Sequence, residues 1–228
     1  RRGMGQSVAH QAMNIAIERT REHGVCVMGL KHAHHIGRVG HWAEQAVSAG
    51  LVSIHFTNAL SIGPLVAPHG GAQARFLTNP FTVGIPRGDA PIVLDFATSA
   101  IAQGKVRVAY NRKKPVPDGA LLDRDGQPTN DPSVMFPPAG EPTGALQTFA
   151  AHKGHALAMV CELLGAALIG GDTARPDTMT MKRGIWNNML VLSFDPQRLG
   201  TGAYFEQEAR RFVDWVASSR PRNPGDTV

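Results

Sequence analysis

Cysteine is scarce: the 228 residues hold two, Cys26 and Cys161. Two thiols cannot build a disulfide framework. Both lie in apolar runs, GVCVMGL and LAMVCELLG, so they read as buried free thiols in a reducing cytoplasm. Long apolar runs are also missing. No stretch reaches the roughly 18 residues of a membrane-crossing helix, and no basic-then-apolar leader is visible. The basic clusters Arg112–Lys114 and Arg210–Arg211 lack interleaved aromatics, and the net charge is only +5. That argues against nucleic acid and suits a small anionic ligand such as a carboxylate or phosphate. Nucleotide-binding glycine patterns are absent too. No GxGxxG follows a strand, and the Lys153–Gly154 pair lacks the rest of a GxxxxGK[ST] loop.

What is present is a globular composition, with 43% apolar and 18% charged residues, enough for a sizeable core. Helical spacing of Val8, Ala12 and Ile15/Ala16 predicts a helix from Ser7 to His23, stopped by Gly24. Apolar runs predict strands at 25–30, 52–57 and 189–195 and a hairpin from 81–86 and 91–97. Further helices are expected at 42–49, 99–110, 153–169 and 205–217. Leu157, Val160, Leu164 and Leu168 should line the buried face of the third. Phe205, Ala209, Phe212, Val213 and Val216 should point inward in the last. The proline-rich stretch 111–144 reads as a long surface excursion. The fold class is α/β (α+β): a layered, mixed β-sheet packed with helices.

Chemistry gathers at residues 31–42, KHAHHIGRVGHW, which hold four of the ten histidines. They fall between two strands expected to be neighbours. His32, His34 and His35 are too close for a helical i, i+4 zinc pair, and no carboxylate or cysteine in the stretch completes a shell. A proton-transfer role for one of them fits a glycine-rich loop at a strand end. Asp95, at the end of a strand, reads as a helix cap or as a carboxylate that orients a histidine. Thr98 and Ser99 could open a helix and bind phosphate through backbone N–H groups.

The order of segments adds a resemblance. GQSVAHQAMNIAIERTREHG, HAHHIGRVGHWAEQAVSAGLVSIHFTN, PLVAPHGG, TNPFTVGIP, IVLDFATSAIAQGKV, PDGALLDRDGQPTNDP and HKGHALAMVCELLGAALIGG follow one another as in the malate/L-lactate dehydrogenase family of NAD(P)-dependent oxidoreductases. That resemblance implies a non-Rossmann nicotinamide-binding fold, NAD or NADP as cofactor and a homodimer. It implies hydride transfer at a 2-hydroxy or 2-oxo acid, or the related imine. The family's histidine in an N-H-F-G type motif falls on His35, a proton acceptor. The segments near the cofactor fall on Asn58 and Ala59, on Asp95, Phe96, Ala97 and Thr98, and on His152, Lys153 and Gly154. Ala59 stands where the family carries a small hydroxyl residue. Arg38 and Arg183 are candidates to pair a substrate carboxylate. Against this family, residues 1–228 read as the central cofactor-binding domain of a longer chain, with an N-terminal helical region and a C-terminal tail missing. A metal-dependent hydrolase built on His32, His34, His35 and His41 is the alternative, although no metal ligand set is assigned.

Overall fold

A computed structural model describes residues 4–141, 143–179, 184–223 and 225–226. Helix α1 (Gly5–His23) buries Ala9, Met13, Ala16, Ile17 and Thr20. Of the expected stripe Val8, Ala12 and Ile15/Ala16, Ala16 is buried and Val8 and Ala12 pack half-buried against the core, while Ile15 is exposed. The helix ends on Gly24, whose φ of 84° is the left-handed cap that glycine adopts without strain.

Strand β1 (Val25–His34) runs four residues further than expected. His32 and His34 therefore belong to a strand, and the free loop shrinks to 35–39. A break in register between Leu30 and Ala33 leaves His32 at a φ of 53°. Helix α2 (Gly40–Val47) leads into β2 (Val52–Leu60). The hairpin β3 (Phe81–Ile85) and β4 (Ile92–Phe96) forms as expected. Helix α3 (Gln103–Asn111) starts later than Ser99. Short strands β5 (Leu121–Leu122), β6 (Pro128–Thr129) and β7 (Ala145–Leu146) follow. Then come α4 (His152–Gly165), β8 (Trp186–Phe194) and α5 (Gly202–Ala217).

The main sheet has the order β1-β8-β2-β3-β4. Every strand pair in it is antiparallel, so the mixed sheet expected from the sequence is corrected. Strands β1 and β2 are not neighbours either. Strand β8 enters between them, pairing Leu192 with both Val27 and Ile54. An alternation pattern says which way side chains point, not which strand lies alongside.

Two layers of helix sandwich this sheet. On one face Met28 packs with Ala9, Met13, Trp42, Ala46, Met189 and Val191. On the other, a Cβ on neighbouring Gly29 would touch Ile169, just beyond α4. Stretch 111–144 is more than a surface excursion. Its Val116, Ala120, Leu121 and Met135 join Val66, Phe76, Val106, Leu146 and Ala158 in a second core, beside a sheet of order β6-β5-β7.

Helix α4 corrects the expected packing face. It turns Gly154, Ala158, Cys161, Glu162 and Gly165 inward. Val160 and Leu168 are exposed. Small residues let the helix approach the sheet closely: a Cβ at Gly165 would lie 2.6 Å from Phe56 O. In α5, Phe212 is 66% and Val216 47% exposed, so the inward stripe expected there is not buried. Periodicity shows that a helix has an apolar face, not what covers it.

Gly165→Ala should therefore cost about 2 kcal/mol in a urea melt, because the neighbour is backbone that cannot rotate away. Met159→Ala, on the outer side of the same helix, should stay within about 0.5 kcal/mol.

Candidate active site

Strand β8 holds the histidine segment in place. The His32 N–H donates to Asn188 Oδ1 at 2.8 Å, and the Ile36 N–H to Asn187 Oδ1 at 3.0 Å. Between them His35 is exposed. The Gly37 N–H donates to its Nδ1 at 3.0 Å. A neutral imidazole that accepts at Nδ1 carries its proton on Nε2, so His35 presents an N–H outward.

The other histidines go separate ways. His32 Nε2 lies 3.2 Å from Asp172 Oδ2, and His41 Nδ1 lies 3.7 Å from Glu44 Oε2. The His34 ring stacks on Trp186 at 4.0 Å. Among the described residues no three His, Cys, Asp or Glu side chains are grouped to hold a metal. The hydrolase alternative gains no support from this arrangement.

Asp95 has partners other than a histidine. Its Oδ2 accepts the Gly40 N–H at 2.9 Å, and its Oδ1 accepts the Thr82 hydroxyl at 2.8 Å. A carboxylate on β4 thus ties down the N-terminus of α2, where free N–H groups and the helix dipole favour negative charge. Any side chain at position 40 would collide: a Cβ there would lie 2.6 Å from Asp95 Oδ2. Arg38 Nη2 donates to both oxygens of Glu44, at 2.8 and 2.6 Å. The protein's own carboxylate engages it. Arg183 lies outside the described residues.

Asn58 and Ala59 are buried. Asn58 Nδ2 donates to Glu162 Oε2 at 3.1 Å and to Asp172 O at 3.0 Å. Its Oδ1 accepts from Asn188 at 2.9 Å, and its backbone carbonyl accepts from Asn187 at 3.0 Å. The side chain expected beside a cofactor is thus used inside the protein. Glu162 also accepts from Asn79 Nδ2 at 2.7 Å and from the Ala174 N–H at 2.9 Å. Burial pushes the Glu162 carboxyl up, while these donors pull it the other way. The sequence reading missed Asn79, Glu162, Asn187 and Asn188. The available signal was a lone carboxylate inside the apolar run AMVCELLG.

Two of the expected cofactor segments border open space. A cavity of about 510 Å³ is lined by Asp95, Phe96, Ala97, Ser99 and Lys105. A second, of about 550 Å³, is lined by Ala150 and Ala151, just before His152 and Lys153. Ala100 and Gly119 line both, so the cavities adjoin. Their sizes fall in the range of small-molecule sites, roughly 300–1,000 Å³. The backbone beside them is strained: Ala150 and Ala151 take φ values of 43° and 54°. Such strain in non-glycine residues gathers at functional sites. Thr98 is fully buried, with its N–H and hydroxyl both given to Thr78 O. It does not open a helix, and its N–H is not free for phosphate. Gly154 gives its N–H to Phe149 O at 3.0 Å, while His152 and Lys153 are exposed.

An antiparallel sheet between helical layers, with adjoining cavities at the Asp95–Ala97 and Ala150–Ala151 segments, defines a class of enzyme-like α/β domains without a Rossmann motif. The chain belongs to the malate/L-lactate dehydrogenase family, whose pattern it matches over residues 1–228. It is 47% identical over 220 residues to hydroxycarboxylate dehydrogenase B of Escherichia coli K12, covering 96% of this chain and 60% of that enzyme. It is 43% identical over 230 residues to L-lactate dehydrogenase of Cupriavidus necator, covering 99% of this chain and 64% of that one. The crystal structure of Δ1-piperideine-2-carboxylate reductase from Pseudomonas syringae superposes with a TM-score of 0.83 at 34% identity, over 98% of this chain and 66% of that one. The chain thus spans about three-fifths of the length of the curated relatives it matches.

Replacing Asp95 by Ala should cost about 2 kcal/mol, since it leaves the Gly40 N–H and Thr82 hydroxyl without an acceptor. Asp95→Asn, which can still accept one bond, should cost less in the same melt.

His55 allows a pH test. It is fully buried, and its Nε2 lies 3.0 Å from Ser53 Oγ. Burial pushes it down to about 3. Between the unfolded value of about 6.5 and this folded value, the unfolded chain binds a proton that the folded one refuses. Stability should therefore fall as pH drops through that window, by about 1.4 kcal/mol per pH unit from this residue. Melts from pH 7 to 4 should show a shallower acid slope for His55→Gln than for the wild type.

Proposed function

We propose that this protein is an oxidoreductase that moves hydride between a nicotinamide cofactor, NAD or NADP, and C2 of a 2-hydroxy or 2-oxo acid, or a related cyclic imine. One observation carries the reading. Relatives at 35–47% identity are named for hydroxycarboxylate, L-lactate and Δ1-pyrroline- or Δ1-piperideine-2-carboxylate. In the specific acids and imines among those names, the carbon that gains or loses hydride is bonded to a carboxylate.

Bound nicotinamide supplies the hydride chemistry. The residues that would hold it are those bordering the adjoining cavities, Asp95–Ala97 and the segment leading into His152–Lys153. Asn58 and Ala59 serve from behind, by shaping β2. His35 meets the substrate oxygen through Nε2 and stabilises it with an N–H bond. Acting as proton acceptor at Nε2 requires its own proton on Nδ1, at the expense of the Gly37 contact. Arg38 can pair the substrate carboxylate only by sharing its guanidinium with Glu44.

The working form is a homodimer in the cytoplasm. Free thiols at Cys26 and Cys161 support that compartment. An apolar row across the sheet supports the dimer. Val27, Leu192, Ile54, Val83 and Leu94 align through the register, and the row ends on Val27, 67% exposed, and Leu94, 45% exposed.

Titration of the intact protein with NADH and NADPH, followed by fluorescence, should show saturable binding of one or both. Binding of neither overturns the reading. With a panel of 2-oxo acids, His35→Ala should lower turnover about 100-fold and leave cofactor affinity within about threefold. Normal turnover in that variant would remove His35 from the mechanism.

A further inference from the structure

Glu162 is 5% exposed. Among the described residues no lysine or arginine is a hydrogen-bond partner of it; its partners there are two asparagine amides and one backbone N–H. All three are donors. An ionised carboxylate only accepts. So does the Asp172 carbonyl, which takes Asn58 Nδ2 at 3.0 Å and Asn188 Nδ2 at 3.2 Å. The two together dictate how these amides are turned. Asn58 must aim its NH2 at Glu162, which turns its Oδ1 toward Asn188. That oxygen accepts from Asn188 Nδ2 at 2.9 Å. Asn188 must then turn its own Oδ1 away, where it accepts the His32 N–H at 2.8 Å. A second branch runs from the Asn58 carbonyl through Asn187 to the Ile36 N–H. The relay starts on α4, crosses β2 and β8, and ends on either side of His35.

We propose that Glu162 is a positioning residue: its carboxylate, with the Asp172 carbonyl beside it, sets the amide orientation of Asn58 and Asn188, and through them the backbone that carries His35. The part concerning turnover rests on the role of His35 given above; the relay itself does not.

The sense of the relay can be reversed. In Glu162→Gln, an NH2 group must face either Asn79 or the Asn58–Ala174 pair. Each side presents donors, and two donors repel. Rotation of Asn58 relieves its own part of the second clash, leaves the Ala174 N–H against the new NH2 and gives up the bond to Asp172 O. Asn188 must then rotate as well, and the His32 N–H loses its acceptor. Adding Asn188→Asp restores an acceptor at both ends. The new carboxylate at position 188 accepts from the rotated Asn58 amide and from the His32 N–H, and gives up the bond that Asn188 donates to Asp172 O. The negative charge has moved along the relay.

The test is amide hydrogen exchange on wild type, E162Q, N188D and E162Q/N188D. In E162Q, His32 should exchange about tenfold faster or more, as expected for a lost backbone acceptor. Leu190 and Leu192 in the middle of β8 should keep their rates. The double variant should recover His32 protection to within about threefold of wild type. If E162Q does not fold, recovery of folding by N188D carries the same meaning. Losses that simply add, or an unchanged His32 in folded E162Q, overturn the relay. Where the protein turns over a 2-oxo acid, kcat should fall about tenfold in E162Q with cofactor KM within about threefold, and N188D should restore it. Exchange needs no turnover, so a failed dehydrogenase assay leaves the relay test standing.

Discussion

A carboxylate buried without a cation has to be held by N–H groups. Among the described residues Glu162 is held by three and by no lysine or arginine, the donors being drawn from β2, the loop before β3 and the turn after α4. Everything near the site depends on that arrangement. Asn58 cannot satisfy Glu162 and also turn outward, so β2 is fixed face-on to α4. Asn187 and Asn188 complete the set from β8 and reach the histidine segment. A polar network of this kind has few alternative states, because each amide's orientation excludes the other for its neighbour.

The sheet makes this network possible. Strand β8 lies between β1 and β2, although more than a hundred residues separate it from either. Its first residues, Trp186 to Asn188, therefore face His34 on one side and Asn58 to Leu60 on the other. Helix α4 completes the enclosure from the opposite layer. Its glycines and alanine bring Glu162 within hydrogen-bond reach of the sheet, where larger side chains would have held it off. Asp95 does a parallel task from β4, tying α2 to the sheet through Gly40. The His35 loop is thus anchored at its start by asparagines and at its end by an aspartate.

Much of this was legible in the residues. Gly24 marks the end of α1, and the hairpin at 81–96 follows from two apolar runs joined by a short polar link. The family emerges from seven segments in order, and the matched relatives bear it out. His35 was singled out as a site histidine and stands exposed at a strand end. Asp95 reads from the sequence as a helix cap or as the partner of a histidine, and in the fold it accepts from the first N–H of α2. Its hydrogen bonds favour the cap over the orienting of a histidine. The inward faces of α4 and α5 do not follow from their bulky apolar residues, several of which stay exposed. In α4 it is the small residues that face the sheet. Stretch 111–144 reads as an excursion in the sequence because its strands are two residues long, below what any periodicity can reveal.

By itself the sequence determined the helices, most of the strands, the family and the place of the histidine segment. These depend on local spacing, turn chemistry and the order of motifs along the chain. Tertiary structure alone decided that β8 separates β1 from β2, that Asn58 serves the interior, and that Glu162 and Asn188 answer to one another. The reason is physical. An amide or carboxylate shows its donors and acceptors in the sequence, but not its partner. Only the fold brings residues 32, 58, 162 and 188 close enough to choose.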